Sequence, residues 1–233
     1  MEQSNEYKNF TTLLGLESSG ITCGAGISIN NQLKEEKIVN GKNIHSEKLA
    51  IFAESLLENL KLSVEDLSGI VISSGPGSFT GLRIGYSLGK GIAHQLKIPI
   101  VEVPTLDVWA YQVGQQNIPV MSVIDAYRSE IFYSIYKWEK SKFQRITDYS
   151  LSNIENLQQI IKESTLIAGI IPEKLKSEIG NTLADRVSFA NKNNSMLSIS
   201  ALLELGYQKF LQQEFADLEN CEPFYMRKFK GVS

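Results

Sequence analysis

Histidine and cysteine are scarce in this chain. Only His45, His94, Cys23 and Cys221 occur. The histidines form no HxxxH or HExxH pair and the cysteines no CxxC, so no metal ligand is assigned and free thiols are expected. A Ser-His-Asp triad lacks its usual GxSxG elbow. Basic excess is also missing. The formal net charge is −3, against the positive balance of a self-sufficient RNA binder, so any action on RNA is expected to go through a partner. The Arg227, Lys228 and Lys230 cluster near the C-terminus reads as a solvated tail. No run of about 18 apolar residues suggests a membrane helix. The opening MEQSNEYKNF lacks the basic start and apolar stretch of a secretory signal, so a cytoplasmic location is expected.

What is present is ordinary globular composition, 42% hydrophobic and 21% charged over 233 residues. Thr11–Ser18 reads as a buried strand, and Cys23–Ile29 and Lys34–Val39 as its meander partners across the Asn30-Asn31 turn. Leu49, Phe52, Ala53, Leu56, Leu57 and Leu60 fall on one helical face, with Ser46 as the expected cap. A short strand at Ile70–Ser73, a long helix to about Lys97 and the strand IPIVEV follow. The polar stretch Gln112–Asn117 marks a boundary, after which the pattern restarts. Strands are expected at Val120–Asp125, Glu130–Trp138 and Leu166–Ile171, and helices at Asn153–Lys162 and Ile199–Gln212. Two successive meander-then-helix units predict two related α/β lobes. They are expected at 11–112 and 113–233 after an extension at 1–10, with a return of the C-terminal tail to the first lobe as an open alternative.

Residues 73–91, SSGPGSFTGLRIGYSLGKG, carry the strongest signal. A strand, a glycine-rich loop and a helix start can present free N–H groups to an anion. Gly75, Gly77, Ser78, Thr80 and Gly81 are therefore a candidate anion loop. The segment is not a Walker A loop, and Thr80 stands where GxGxxG needs its last glycine. The alternative is a tight strand-to-helix turn that needs glycine for its backbone angles. Along the following helix, Gly81, Gly85, Gly89 and Ala93 recur every four residues and interleave with Ile84, Leu88, Ile92 and Leu96. Interior glycine costs roughly 1 kcal/mol relative to alanine, so three on one stripe imply close approach of another backbone. Internal packing and a subunit interface remain equal alternatives. The candidate interface set is Gly81, Leu82, Gly85, Tyr86, Leu88, Gly89, Ile92 and Ala93. Asp125, at a strand end, is the one catalytic candidate, with a hairpin or capping role as the simpler reading. His45 is expected at the surface.

LGLESSG, His45-Ser46-Glu47, SSGPGSFTGLRIG, IPIVEVPTLDVWA, IDAYRSEIFY and the closing PFYMR resemble the TsaB (YeaZ) family in order and spacing, from about Thr12 to Arg227. The resemblance implies the two-lobed actin-like ATPase (ASKHA) fold, each lobe a mixed sheet with flanking helices. It implies a non-catalytic paralogue of the transferase TsaD, working with TsaD and the ATPase TsaE to place threonylcarbamoyl on adenosine 37 of tRNA. A homodimer is implied when the protein is alone, and the helix after GPGSFTGLR belongs to the family's interface surface.

One departure is Glu17-Ser18-Ser19, where most TsaB sequences have Asp-Thr-Ser and TsaD has Glu-Thr-Ser. TsaD, however, carries an HMEGH-type metal motif where this chain has PTLDVWAYQ. Glycine is missing from Asp125-Ala-Tyr-Arg-Ser, where the second phosphate hairpin would open. Ala168-Gly169-Ile170-Ile171-Pro172 replaces the adenosine-contacting Gly-Gly pair. No cofactor is therefore expected. The competing readings are an ATP-dependent phosphotransferase or hydrolase with Asp125 as base, and a zinc glycopeptidase, which the ligand set does not support.

Overall fold

The computed structural model describes residues 10–41, 43–191 and 196–226. Two compact units divide the chain, residues 1–105 with 198–223 and residues 106–197 with 224–233. That boundary precedes the polar stretch at 112–117. The segment 198–223 groups with the first unit, although it follows the second in sequence.

The first unit holds β1 (Thr12–Glu17), β2 (Thr22–Ile29), β3 (Gln32–Asn40), α1 (His45–Asn59), β4 (Gly69–Ser73), α2 (Phe79–Leu96) and β5 (Ile100–Val103). The strands run in the order β3-β2-β1-β4-β5, with β1 antiparallel to β2 and parallel to β4. Apolar alternation sends Leu14, Leu16, Ile70 and Ile72 to one face, under Leu49 and Leu56 of α1 and Tyr86 and Ala93 of α2. Burying such a side chain is worth about 1.5–3 kcal/mol, which is what seats both helices. The opposite face of β1 and β2 presents Gly15 and Gly26, paired across the ladder. A methyl at either would meet Leu203 or Ile199, so this flat patch receives a helix that arrives from the far end of the chain. That helix, α6 (Ile199–Leu211), is capped by Ser198, whose hydroxyl accepts from Ala201 N–H at 3.2 Å.

The second unit repeats the plan. It holds α3 (Thr105–Tyr111), β6 (Val120–Asp125), β7 (Glu130–Glu139), β8 (Lys142–Arg145), β9 (Ser150–Asn153), α4 (Leu157–Ile160), β10 (Thr165–Ala168), α5 (Glu173–Leu183) and β11 (Val187–Phe189). Its order is β8-β7-β6-β10-β11, with β9 also paired to β7. Read outward from the first strand of each meander, the two sheets are the same. Two mixed sheets with flanking helices constitute the two-lobed α/β architecture that the resemblance implies. Leu157, Leu175, Ile179 and Leu183 cover one face over Met121, Val123 and Ile167. Ala110 of α3 lies on the other with Val120, Tyr136 and Ala168.

Three local expectations change. Ile44, not Ser46, takes the cap position of α1, and no side chain caps that helix. The helix expected at 153–162 is a 3-10 turn at 154–156 followed by one turn of α4, ended by extended backbone at Ile161. The strand expected to reach Ile171 stops at Ala168, because Gly169 adopts φ +134.

Candidate functional site

Glu17 ends β1 and is fully buried. Its Oε1 accepts from Ser19 N–H at 2.7 Å and from Ser19 Oγ at 2.6 Å. Its Oε2 has no hydrogen-bond partner among the described residues. Burial raises the carboxyl's pKa above its ordinary 4.5. The Ser19 bonds oppose that shift, and so does the Ser73 hydroxyl on β4, which forms no aligned hydrogen bond of its own. The same burial, with the Glu17 charge second, pushes the Cys23 thiol up to about 11.

The glycine-rich loop folds over this strand end, and three of its amides bond inside the chain. Gly75 N–H bonds Thr105 Oγ1 at 3.1 Å, Ser78 N–H bonds the Ser19 carbonyl at 2.6 Å and Gly81 N–H bonds Ser78 Oγ at 3.2 Å. Of the candidate anion loop, Gly75 is buried and Gly77, Ser78 and Thr80 are exposed.

The glycine stripe resolves toward internal packing. A methyl at Gly77 would strike the Ser19 carbonyl oxygen, one at Gly81 the Ser18 carbonyl oxygen, and one at Gly85 the Ser18 hydroxyl. At Gly89 it would press on Ile72 at 3.2 Å. The close approach is therefore to the chain's own β1–β2 turn and β4. Of the expected interface set, Gly81, Leu82, Gly85, Tyr86, Gly89 and Ala93 are buried here, and Leu88 and Ile92 are half-buried. Arg83, Ser87, Gly91 and His94 form the exposed side of α2. Around Gly91 an added methyl would meet nothing within 4 Å.

Along the last turns of α2 runs a strap from the C-terminal segment. Ala216 N–H bonds the Ile100 carbonyl at 2.9 Å, and Lys90 Nζ donates to the carbonyls of Glu219 and Cys221 at 3.1 and 3.2 Å. Tyr86 donates its hydroxyl to Glu102 on β5. The basic cluster Arg227, Lys228 and Lys230 lies outside the described residues.

His45 is buried rather than at the surface, and its Nε2–H donates to the Thr22 carbonyl at 3.0 Å. The ring stitches the start of α1 to β2, which is a structural role. Among the described residues no group of three His, Cys, Asp or Glu side chains could hold a metal ion. No described helix is long and apolar enough to cross a membrane.

In the second unit, Asp125 ends β6 half-buried, its Oδ1 accepting from Tyr127 N–H at 2.7 Å. A methyl at Gly169 would collide with the Val123 carbonyl, so glycine there serves the contact between β10 and β6. Sequence reasoning did not single out Asp107. Its carboxylate accepts from Tyr136 OH at 2.7 Å and from Tyr149 OH at 2.8 and 3.0 Å. PTLDVWA placed an acid early in a short helix, but the two tyrosines lie 29 and 42 residues away.

A family model described as TsaD: tRNA N6-adenosine threonylcarbamoyltransferase matches residues 28–228. The chain belongs to this family, in its TsaB (YeaZ) branch. The TsaB protein of Bacillus subtilis, a tRNA threonylcarbamoyladenosine biosynthesis protein, is 27% identical over 219 residues, covering 93% of this chain and 94% of the relative. That of Haemophilus influenzae is 25% identical, covering 93% of each. The solved structure of YeaZ from Pseudomonas aeruginosa superposes with a TM-score of 0.79 at 19% identity, over 93% of this chain and 100% of that one, a likeness of fold. Matches to TsaB proteins along nearly the full length agree with the six sequence blocks that suggested the family.

Proposed function

We propose that the chain is a non-catalytic assembly and activating subunit of the cytoplasmic machinery that forms N6-threonylcarbamoyladenosine at position 37 of tRNA. It supports a TsaD-type transferase and works with a TsaE-type ATPase. Family membership and the TsaB relatives supply the reaction context. The carrying observation is the glycine-rich loop. Its amides at Gly75, Ser78 and Gly81 are committed within the chain, and the adjoining Glu17 carboxyl is sealed from solvent. A phosphate cradle needs those donors turned outward. Here Ser78 N–H ties the start of α2 to the β1–β2 turn, Gly75 N–H ties the loop to Thr105 and Gly81 N–H closes the helix cap, so the element that would bind nucleotide serves as scaffold.

The outward side of α2, with Arg83, Ser87, Gly91 and half-buried Leu88 and Ile92, offers the surface for a second subunit. It is used by a second copy when the chain is alone and by the TsaD-type subunit in the complex, through which tRNA is reached. Small residues at Ser87 and Gly91 allow a partner helix near approach. The test is sedimentation of the purified chain with and without the TsaD-type subunit of the same organism. A heterodimer is expected, with no ATP hydrolysis by the chain alone. Failure to associate, or turnover of ATP by the isolated chain, overturns the reading and favours the phosphotransferase.

A further inference from the structure

The sequence holds one Asn-Gly pair, Asn40-Gly41, where β3 ends and the chain turns toward α1. No side chain shields a glycine nitrogen, so this pair can react with itself. The Gly41 nitrogen loses its proton to solvent hydroxide and attacks Asn40 Cγ. The N–Cγ bond forms, the Cγ–Nδ2 bond breaks, and ammonia leaves with a proton taken from water, giving a succinimide. Water then opens the ring at either carbonyl and leaves aspartate or isoaspartate. Asn40 is exposed and β3 is an edge strand of its sheet, so solvent reaches the pair. The fold restrains both reacting groups. Asn40 Oδ1 accepts from Thr22 Oγ1 at 3.0 Å across the β2–β3 ladder, where the two residues are paired. Gly41 N–H donates to the Ile21 carbonyl at 2.9 Å. Thr22 is buried, and its carbonyl accepts from His45 of α1 at 3.0 Å.

We propose that Asn40 is a spontaneous modification site, a succinimide-forming asparagine whose rate is set by the Thr22 hydroxyl. Ring closure requires the amide side chain to swing toward the Gly41 nitrogen and that nitrogen to release its proton. The Thr22 bond opposes the first and the Ile21 bond the second. Reaction therefore proceeds from the locally opened end of β3, without global unfolding. The imide nitrogen carries no proton, so closure removes the Gly41–Ile21 bond. Isoaspartate then adds a methylene to the main chain at the joint between β3 and α1, and either product adds a negative charge there.

The experiment incubates the folded full chain, the variants Thr22→Val and Thr22→Ser, and the wild-type chain unfolded in guanidinium, all at one mildly alkaline pH. Peptide mass spectrometry reads aspartate and isoaspartate at position 40, and released ammonia checks the balance. The unfolded chain is expected to convert at least about tenfold faster than the folded one. Thr22→Val keeps the branched shape without the hydroxyl and should convert about three- to tenfold faster than folded wild type. Thr22→Ser keeps a hydroxyl and should convert at close to the wild-type rate. Thermal melts establish that both variants are folded at the incubation temperature, and the wild-type comparison stands without them. Equal rates in folded and unfolded wild type, or no conversion in the unfolded chain, overturn the proposal. So does a folded Thr22→Val chain that converts no faster than wild type, or a Thr22→Ser chain as fast as Thr22→Val.

Discussion

Glu17 and Asp125 end the first strand of successive sheets, and each turns its carboxylate back onto the amide two residues ahead at 2.7 Å. The shared turn has diverged in setting. Glu17 is sealed beneath the glycine-rich loop, whereas Asp125 stays half-open below an exposed tip. One strand end has been given over to holding the fold, and the other keeps a surface.

The sealed end makes stability depend on pH. Burial raises the folded-state pKa of Glu17 above 4.5. The folded chain therefore holds this proton more tightly than the unfolded one. The group's contribution is complete below 4.5 and is lost as pH rises through the folded value. Glu17→Gln retains an acceptor for Ser19 and cannot ionise. Its denaturant midpoint, compared with wild type, should improve steadily as pH rises from 4 toward neutrality. A difference that stays constant over that range would show that Glu17 does not titrate in the window.

On α2 the glycines separate fold from surface. Gly85→Leu drives a side chain into Ser18 and should lower stability by about 1–3 kcal/mol or more. Gly91→Ala meets open space and should raise it by up to about 1 kcal/mol. Gly91→Leu should leave the monomer folded while weakening dimerisation and binding of the TsaD-type subunit. Thermal melts with sedimentation read both effects. A Gly91→Leu chain that associates normally removes α2 from the interface.

How much of this was legible in sequence follows from which contacts are local. The first meander, the β6–β7 pair and α1, α2 and α6 show strong periodicity and were readable. In α5 only Leu175, Ile179 and Leu183 are buried in an otherwise polar segment, and that helix was missed although Pro172 marks its start. β8 and β9, KFQR and SLSN, lie half-exposed with no apolar alternation. The glycine stripe announced a close approach without naming the neighbour, because Ser18 lies more than sixty residues from Gly81. Three left-handed residues in a row at 127–129 have no sequence signature, since glycine and asparagine, the usual markers, are both absent there.

Asp107 is the polar anchor of the second unit. Burial and the Asp107 charge push the Tyr136 and Tyr149 hydroxyls well above their ordinary pKa. Asp107→Ala strands both hydroxyls and should destabilise the chain by about 1–3 kcal/mol per unpartnered group, with Tyr149→Phe costing about 1. Equilibrium urea unfolding measures both. A near-neutral Asp107→Ala would mean that water replaces the carboxylate.

Lys90 holds the strap through the Glu219 and Cys221 carbonyls. Lys90→Ala should loosen that segment and speed modification of Cys221 by a thiol reagent. Cys23, buried and shifted to about 11, should stay inert. Equal Cys221 rates in wild type and variant would place the strap's anchor elsewhere.

The central claim is that the chain acts by supporting a transferase rather than by catalysis. The direct measurement is threonylcarbamoyladenosine formed on unmodified tRNA from threonylcarbamoyl-AMP. It compares the chain alone, the TsaD- and TsaE-type subunits alone, and all three together. The account predicts no product from the chain alone and a large gain when it joins the other two. Product from the chain alone, or full activity without it, would contradict the account.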